Sequence, residues 1–85
     1  MDVSAFAREI GQKIRAKRKD SGLTQQELAS CAGVSERLVR SVENGEAYGV
    51  GLDKLASLLS QLGMALRIDD VPKTPPVVQD PSYSD

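Results

Sequence analysis

The chain has no histidine, no tryptophan, one cysteine and one phenylalanine among its 85 residues. Each scarcity removes a kind of chemistry. Without histidine there is no imidazole to act as a general base near neutral pH or to bind zinc. Cys31 alone cannot close an intramolecular disulfide, and no Cys/His set exists for a structural zinc site. No glycine-rich phosphate loop is present either, so an enzyme is not expected and no cofactor is implied. Cys31 is expected to be a small, semi-buried helix residue. No apolar run approaches the ~18 residues of a membrane span, and Met1-Asp2-Val3 does not open a signal peptide. A reducing cytoplasm is the expected compartment. Aromatics make up only 4% of the chain, so a core must be built from Leu, Val, Ile and Ala. The length suits one small domain.

A net charge of −1 and a pI near 5.4 argue at first against a polyanionic partner. The distribution of charge argues the other way. From Arg8 to Arg40 there are eight basic residues (Arg8, Lys13, Arg15, Lys17, Arg18, Lys19, Arg37, Arg40) against four acids (Glu9, Asp20, Glu27, Glu36). From Asn44 onward the balance reverses, with Lys54, Arg67 and Lys73 against six aspartates and glutamates. A basic front and an acidic rear suit a protein that meets phosphate on one side only. An ordinary solvated helix surface is the plainer alternative for the cluster at 8–19.

Local patterns divide the chain into segments. A first helix is expected from Ser4 as cap to about Asp20, with Phe6, Ile10 and Ile14 on one face. Thr24 with Glu27 three residues on forms a capping box that opens a second helix, carrying Leu28, Ala29 and Ala32 as its apolar stripe. Gly33 makes the turn and Ser35 caps a third helix. In that helix Leu38, Val39 and Val42 point inward while Glu36, Arg37, Arg40 and Ser41 point outward, and Asn44-Gly45 stops it. After the glycine-rich loop 46–51, a fourth helix spans about Leu52 to Leu62, with Leu52, Leu55, Ala56, Leu58, Leu59 and Leu62 forming a wide stripe of core leucines.

Two short helices joined by a tight glycine turn, the second polar on its outer face, resemble the DNA-reading helix-turn-helix of the Cro/cI-type (XRE) family. The resemblance rests on Leu23-Thr24-Gln25, Glu27-Leu28-Ala29, Ala32-Gly33-Val34-Ser35 and Val42-Glu43-Asn44-Gly45, and covers roughly residues 8 to 62. It implies an all-α, lambda-repressor-like domain of four to five helices. The third helix would lie in the major groove, with Ser35, Glu36, Arg37, Arg40 and Ser41 facing bases or backbone. Arg37 can pair bidentately with guanine, and Glu36 can accept from the cytosine amine. Thr24 and Gln25 sit at the N-terminus of the second helix, where exposed N–H groups and the helix dipole attract phosphate, and Asn44 matches a backbone-contacting position of the family. Arg18 and Glu43 match an internal ion pair that ties the first helix to the third.

Past Gly63 the period changes. Met64, Leu66 and Ile68 alternate with Ala65, Arg67 and Asp69, as in a half-buried strand with no partner elsewhere in the chain. Pairing with a second copy would remove the open edge, and predicts a homodimer. A fifth short helix or a frayed end are the alternatives. All four prolines lie in the last fourteen residues, so the expected layout is a helix-turn-helix domain at 1–63, a dimerisation strand at 64–70 and a disordered, Pro-rich tail at 71–85.

The leucine-rich fourth helix running into Leu62-Gly63-Met64-Ala65-Leu66-Arg67-Ile68 resembles the HipB-type antitoxins of HipA-kinase toxin–antitoxin modules. That resemblance implies a bacterial, cytoplasmic and nucleoid-associated repressor that binds a pseudo-palindromic double-stranded operator as a homodimer and also holds a toxin kinase. A free-standing XRE-type repressor without a toxin is the alternative. A protein-interaction adaptor that has lost DNA binding is a third, opposed by the presence of Thr24, Gln25, Arg37 and Arg40. No membrane partner is expected.

Overall fold

Asp2, Thr24 and Ser35 each place a side-chain oxygen on a free backbone N–H at the start of a helix, and these caps set the register of the domain. The computed structural model describes residues 2–72, and the helices within them are α1 (Val3–Asp20), α2 (Gln25–Ala32), α3 (Glu36–Glu43) and α4 (Leu52–Gln61). None is long and apolar enough to cross a membrane.

Helix α1 begins earlier than the expected Ser4 cap. The Asp2 carboxylate accepts from the Ser4 N–H at 3.0 Å, and an anion at the positive end of the helix dipole adds to that bond. Its buried row runs through Ala7, Ile10, Gly11, Ile14 and Arg18. Phe6 sits one position off this row and is 38% exposed, which corrects its assignment to the core face. Lys17, Arg18 and Lys19 fill the last turn, where cations complement the dipole.

The capping box at Thr24 and Glu27 has both of its bonds. Thr24 Oγ1 accepts from the Glu27 N–H at 3.0 Å, and Glu27 Oε1 accepts from the Thr24 N–H at 2.9 Å. Gly33 ends α2 at φ +72°, in the left-handed region that a side chain rarely adopts, and the chain turns through it into α3. Ser35 Oγ accepts from the Leu38 N–H at 3.0 Å, so α3 is capped directly after the turn. Ser57 Oγ on α4 donates to the Ala32 carbonyl at 2.7 Å, satisfying an acceptor that the end of α2 leaves free.

Ile10, Ile14, Leu28, Val39, Val42, Leu55, Leu58 and Leu59 form the centre of the core, with Leu23, Val34, Leu38 and Met64 packed at its edge. Helix α3 packs on both α1 and α2, and α4 closes the other side of α2. The α1–α3 approach depends on Gly11. A Cβ there would overlap the Val42 carbonyl oxygen and lie 3.0 Å from that of Glu43. Nothing in the hydrophobic pattern singled this glycine out.

Helix α4 departs from the expectation that its leucines are all core. Leu55, Leu58, Leu59 and Leu62 are buried, whereas Leu52 is 75% exposed and Ala56 is exposed too. The apolar stripe is wider than the surface α1 and α2 offer to cover it. Cys31 is exposed rather than semi-buried, because the inward positions of α2 are taken by Leu28, Ala29 and Ala32. The Met64 N–H donates to the Leu59 carbonyl at 2.8 Å, and from there to residue 72 the described chain forms no helix or strand. The expected tail lies outside the described residues from 73 onward.

Candidate nucleic-acid interface

Helix α3 carries a charged outer face of Glu36, Arg37 and Arg40. Arg37 is exposed and has no ion-pair partner among the described residues. Glu36 and Arg40, one turn apart, hold each other: Arg40 Nη2 donates to Glu36 Oε2 at 3.0 Å. Both remain about half exposed, at 53% and 44% for the arginine and glutamate side chains, so the pair is open to exchange with a ligand. Ser41 is half-buried. Ser35 caps α3 through an oxygen lone pair and keeps its hydroxyl proton free to donate.

The N-terminus of α2 lies beside this face through a chain of side-chain contacts. Arg18 Nε donates to Glu43 Oε2 at 2.6 Å and Arg18 Nη2 donates to Glu43 Oε1 at 2.9 Å, a two-pronged pair that joins α1 to α3. Arg18 Nη1 donates to the Leu23 carbonyl at 2.8 Å, and Gln25 Nε2 donates to Glu43 Oε1 at 3.1 Å. The arginine and glutamate side chains are 9% and 1% exposed. One carboxylate therefore fixes the last turn of α1, the entry to α2 and the end of α3 at once. The spacing of the sequence gave no sign that Gln25 belongs to this network.

Burial pushes the Glu43 carboxyl up, but hydrogen bonds from Arg18 and Gln25 and the nearby charges of Arg18 and Arg15 outweigh it, holding the group below the usual carboxylate range. The Arg18 guanidinium is raised further by its bond to Glu43, with desolvation opposing. Among the described residues no buried side-chain nitrogen or oxygen lacks a partner.

Thr24 is exposed at the α2 N-terminus, with its oxygen accepting in the capping box and its hydroxyl proton free. Asn44 is exposed just past α3, where its backbone N–H closes the helix onto Arg40 and Ser41. The Gln25–Glu43 bond brings the start of α2, with Thr24, to the end of α3, with Asn44, and Arg37 is exposed on α3. These residues present N–H, O–H and guanidinium donors, as an anionic backbone and base edges require.

Two helices joined by a left-handed glycine, tied to each other by the Gln25–Glu43 bond and to α1 by the Arg18–Glu43 ion pair, define a helix-turn-helix domain. The helix-turn-helix family model (HTH_3) matches residues 14–68, and the chain belongs to this XRE-type family. Among solved structures, the chain resembles the clp gene regulator ClgR from Corynebacterium glutamicum, with 32% identity and a TM-score of 0.62. The match covers 69% of this chain and 62% of that one, so this chain spans less than two thirds of the regulator's length. No curated protein matches the chain.

Proposed function

We propose that the protein is a sequence-specific, double-stranded DNA-binding transcriptional regulator. The carrying observation is the outer face of α3, where Arg37 is exposed beside a Glu36–Arg40 pair within a capped helix-turn-helix. In this reading α3 enters the major groove. Arg37 reads guanine, Glu36 reads a base carrying an exocyclic amine, and Arg40 and Ser41 flank them. Thr24, Gln25 and Asn44 hold phosphates. Two domains related by a twofold axis place two such helices about one turn, ~34 Å, apart on a pseudo-palindrome, so the working unit is a homodimer paired through Met64, Leu66 and Ile68. Similarity to a gene regulator supports the reading.

The test is selection from a randomised duplex library with the purified protein. Enrichment of a site with two inverted half-sites about 10 base pairs apart is expected. A selected pool indistinguishable from the starting one would overturn sequence-specific binding.

The finer proposal is that the regulator serves as antitoxin and autorepressor of a toxin–antitoxin module, holding a HipA-like kinase in the bacterial cytoplasm. Its support is the leucine-rich passage from α4 into Met64–Ile68 and the acidic rear of the chain. The alternative, a free-standing repressor, is favoured by the 32% identity to a gene regulator. Affinity purification from the native cells followed by mass spectrometry separates the two. A stoichiometric kinase-like protein establishes the antitoxin, and recovery of the protein with DNA alone establishes the free repressor.

A further inference from the structure

An apolar groove outside the core is lined by Phe6, Leu52, Ala56, Leu66 and Ile68, together with Arg67 and Asp69. Ile68 is 99% exposed and Leu66 45%, and both lie on the same groove as the bare Leu52. A contiguous apolar patch of this kind marks a surface that something covers. From Met64 to Asp69 apolar and polar residues alternate, so in an extended chain Met64, Leu66 and Ile68 share one face. We propose that the groove is covered by the same segment of a second copy, the two segments pairing antiparallel about a twofold axis that passes through Leu66. This rests on the homodimer in the functional reading above, and adds to it a register and the helix surface beneath the ribbon.

The self-complementarity of the segment selects that register. Residues directly opposite in an antiparallel pair lie on the same face of the ribbon, so any register that sets even positions against odd ones puts apolar side chains against polar ones. Four axes remain. An axis at Ala65 leaves Ile68 opposite Leu62, which caps α4 and is not extended. An axis at Arg67 sets Arg67 directly against Arg67 of the partner subunit, and like charges in that position repel. An axis at Ile68 pairs Arg67 with the partner's Asp69 twice, but sets Leu66 against the partner's Asp70 and Met64 against the partner's Pro72. Exposed ion pairs add little to stability, so they do not offset that loss of apolar contact. An axis at Leu66 joins Leu66 to the partner's Leu66 and Met64 to the partner's Ile68 on both sides. Ile68 of each copy then comes to the hollow that Phe6, Ile10, Leu59 and Met64 form beside the groove. Only this axis covers the bare Leu66 and Ile68 without setting like charges against each other.

Directly opposed Cα atoms are about 4.5–5.5 Å apart, within reach of a disulfide, while diagonal ones at about 7–8 Å are not. A cysteine therefore crosslinks to its own copy only on the axis. In a C31S background, which removes the exposed natural thiol, L66C is expected to convert to a covalent dimer under mild oxidation by oxidised glutathione, while A65C, R67C and I68C are not. The double variant M64C/I68C keeps Leu66 in place and is expected to crosslink as well. Sedimentation equilibrium of the C31S protein reports whether a dimer exists, and circular dichroism reports folding of every variant. Crosslinking of A65C, R67C or I68C alone would overturn the register. A dimer in which no variant crosslinks would overturn the ribbon and leave the homodimer intact. A monomer at every concentration would overturn the homodimer itself, while the library selection still decides DNA binding.

Discussion

Glu43 is the residue on which the candidate interface depends most and which can never be part of its surface. It is buried, and it accepts from Arg18 twice and from Gln25 once. Removing it leaves a guanidinium with two empty prongs in a site that excludes water. Glu43→Ala is therefore expected to lower stability by at least about 1 kcal/mol, with about 3 kcal/mol the value for a fully buried pair. In a domain of this size that is a fall in Tm of about 4 °C or more, read by thermal unfolding. The same carboxyl titrates below the usual range in the folded state. A depressed pKa contributes stability that is present above the unfolded value and lost as the pH falls through the folded one. The wild-type Tm should thus drop on acidification below about pH 5 more steeply than that of Glu43→Gln, which has nothing to titrate there. Parallel profiles would dismiss the coupling. Arg37 is the opposite kind of residue, exposed and without an ion-pair partner among the described residues. Arg37→Ala should leave Tm unchanged, weaken binding to the selected duplex by about 1–3 kcal/mol and relax preference at one base pair per half-site. Fluorescence anisotropy on matched and base-substituted duplexes checks it, and equal affinity for all of them would remove Arg37 from base reading.

At the scale of the helix, the closeness of α1 to α3 is what brings Arg18 to Glu43, and Gly11 permits it. Replacing glycine by alanine in a helix interior is ordinarily favourable by about 1 kcal/mol. Here the new methyl would meet the Val42 carbonyl, which is backbone and cannot step aside. Overpacking of this kind costs about 1–3 kcal/mol, so the sign reverses and Gly11→Ala should unfold at a lower temperature than the wild type. A higher Tm would mean the helices are free to separate. This element also marks how far the sequence could be read. The capping box at Thr24, the glycine turn at Gly33, the Ser35 cap and the inward stripe of α3 were all legible, because each is a local pattern whose bonds close within four residues. Gly11, the Gln25–Glu43 bond and the Ser57–Ala32 bond were not, because each joins residues between 18 and about 32 positions apart, a separation no local pattern records. The same reason accounts for Leu52, Ala56 and Phe6. Periodicity identifies an apolar row, but only the packed neighbours decide how much of that row is covered. The charged pair Glu36–Arg40 was within reach of the one-turn spacing.

The whole molecule carries a net charge of −1, and yet its basic side chains outside the ion pairs gather in the first half of the chain. Binding that releases counterions from phosphates weakens with salt in proportion to the number of phosphates neutralised, with log K falling by about 0.9 per phosphate for each unit of log salt concentration. A strong salt dependence is therefore expected in spite of the acidic pI, since phosphate feels the local face and not the sum. The size of that slope also reports how many domains act together. If the groove beneath Leu66 and Ile68 is closed by a second copy, Leu52, 75% exposed in the single chain, becomes part of that contact. Leu52→Glu puts a carboxylate into it without touching the core or the α3 face. The variant should keep the wild-type Tm measured where the protein is monomeric, lose the dimer in sedimentation, and bind a full palindrome with about half the wild-type salt slope, because one domain meets half the phosphates. Loss of the dimer with an unchanged slope would mean that two domains assemble on DNA without this surface. A retained dimer would mean that the surface is not the one that pairs. The slope rather than the affinity discriminates here, since a change in affinity could come from either the DNA face or the dimer face, whereas a halved slope counts phosphates and so counts domains.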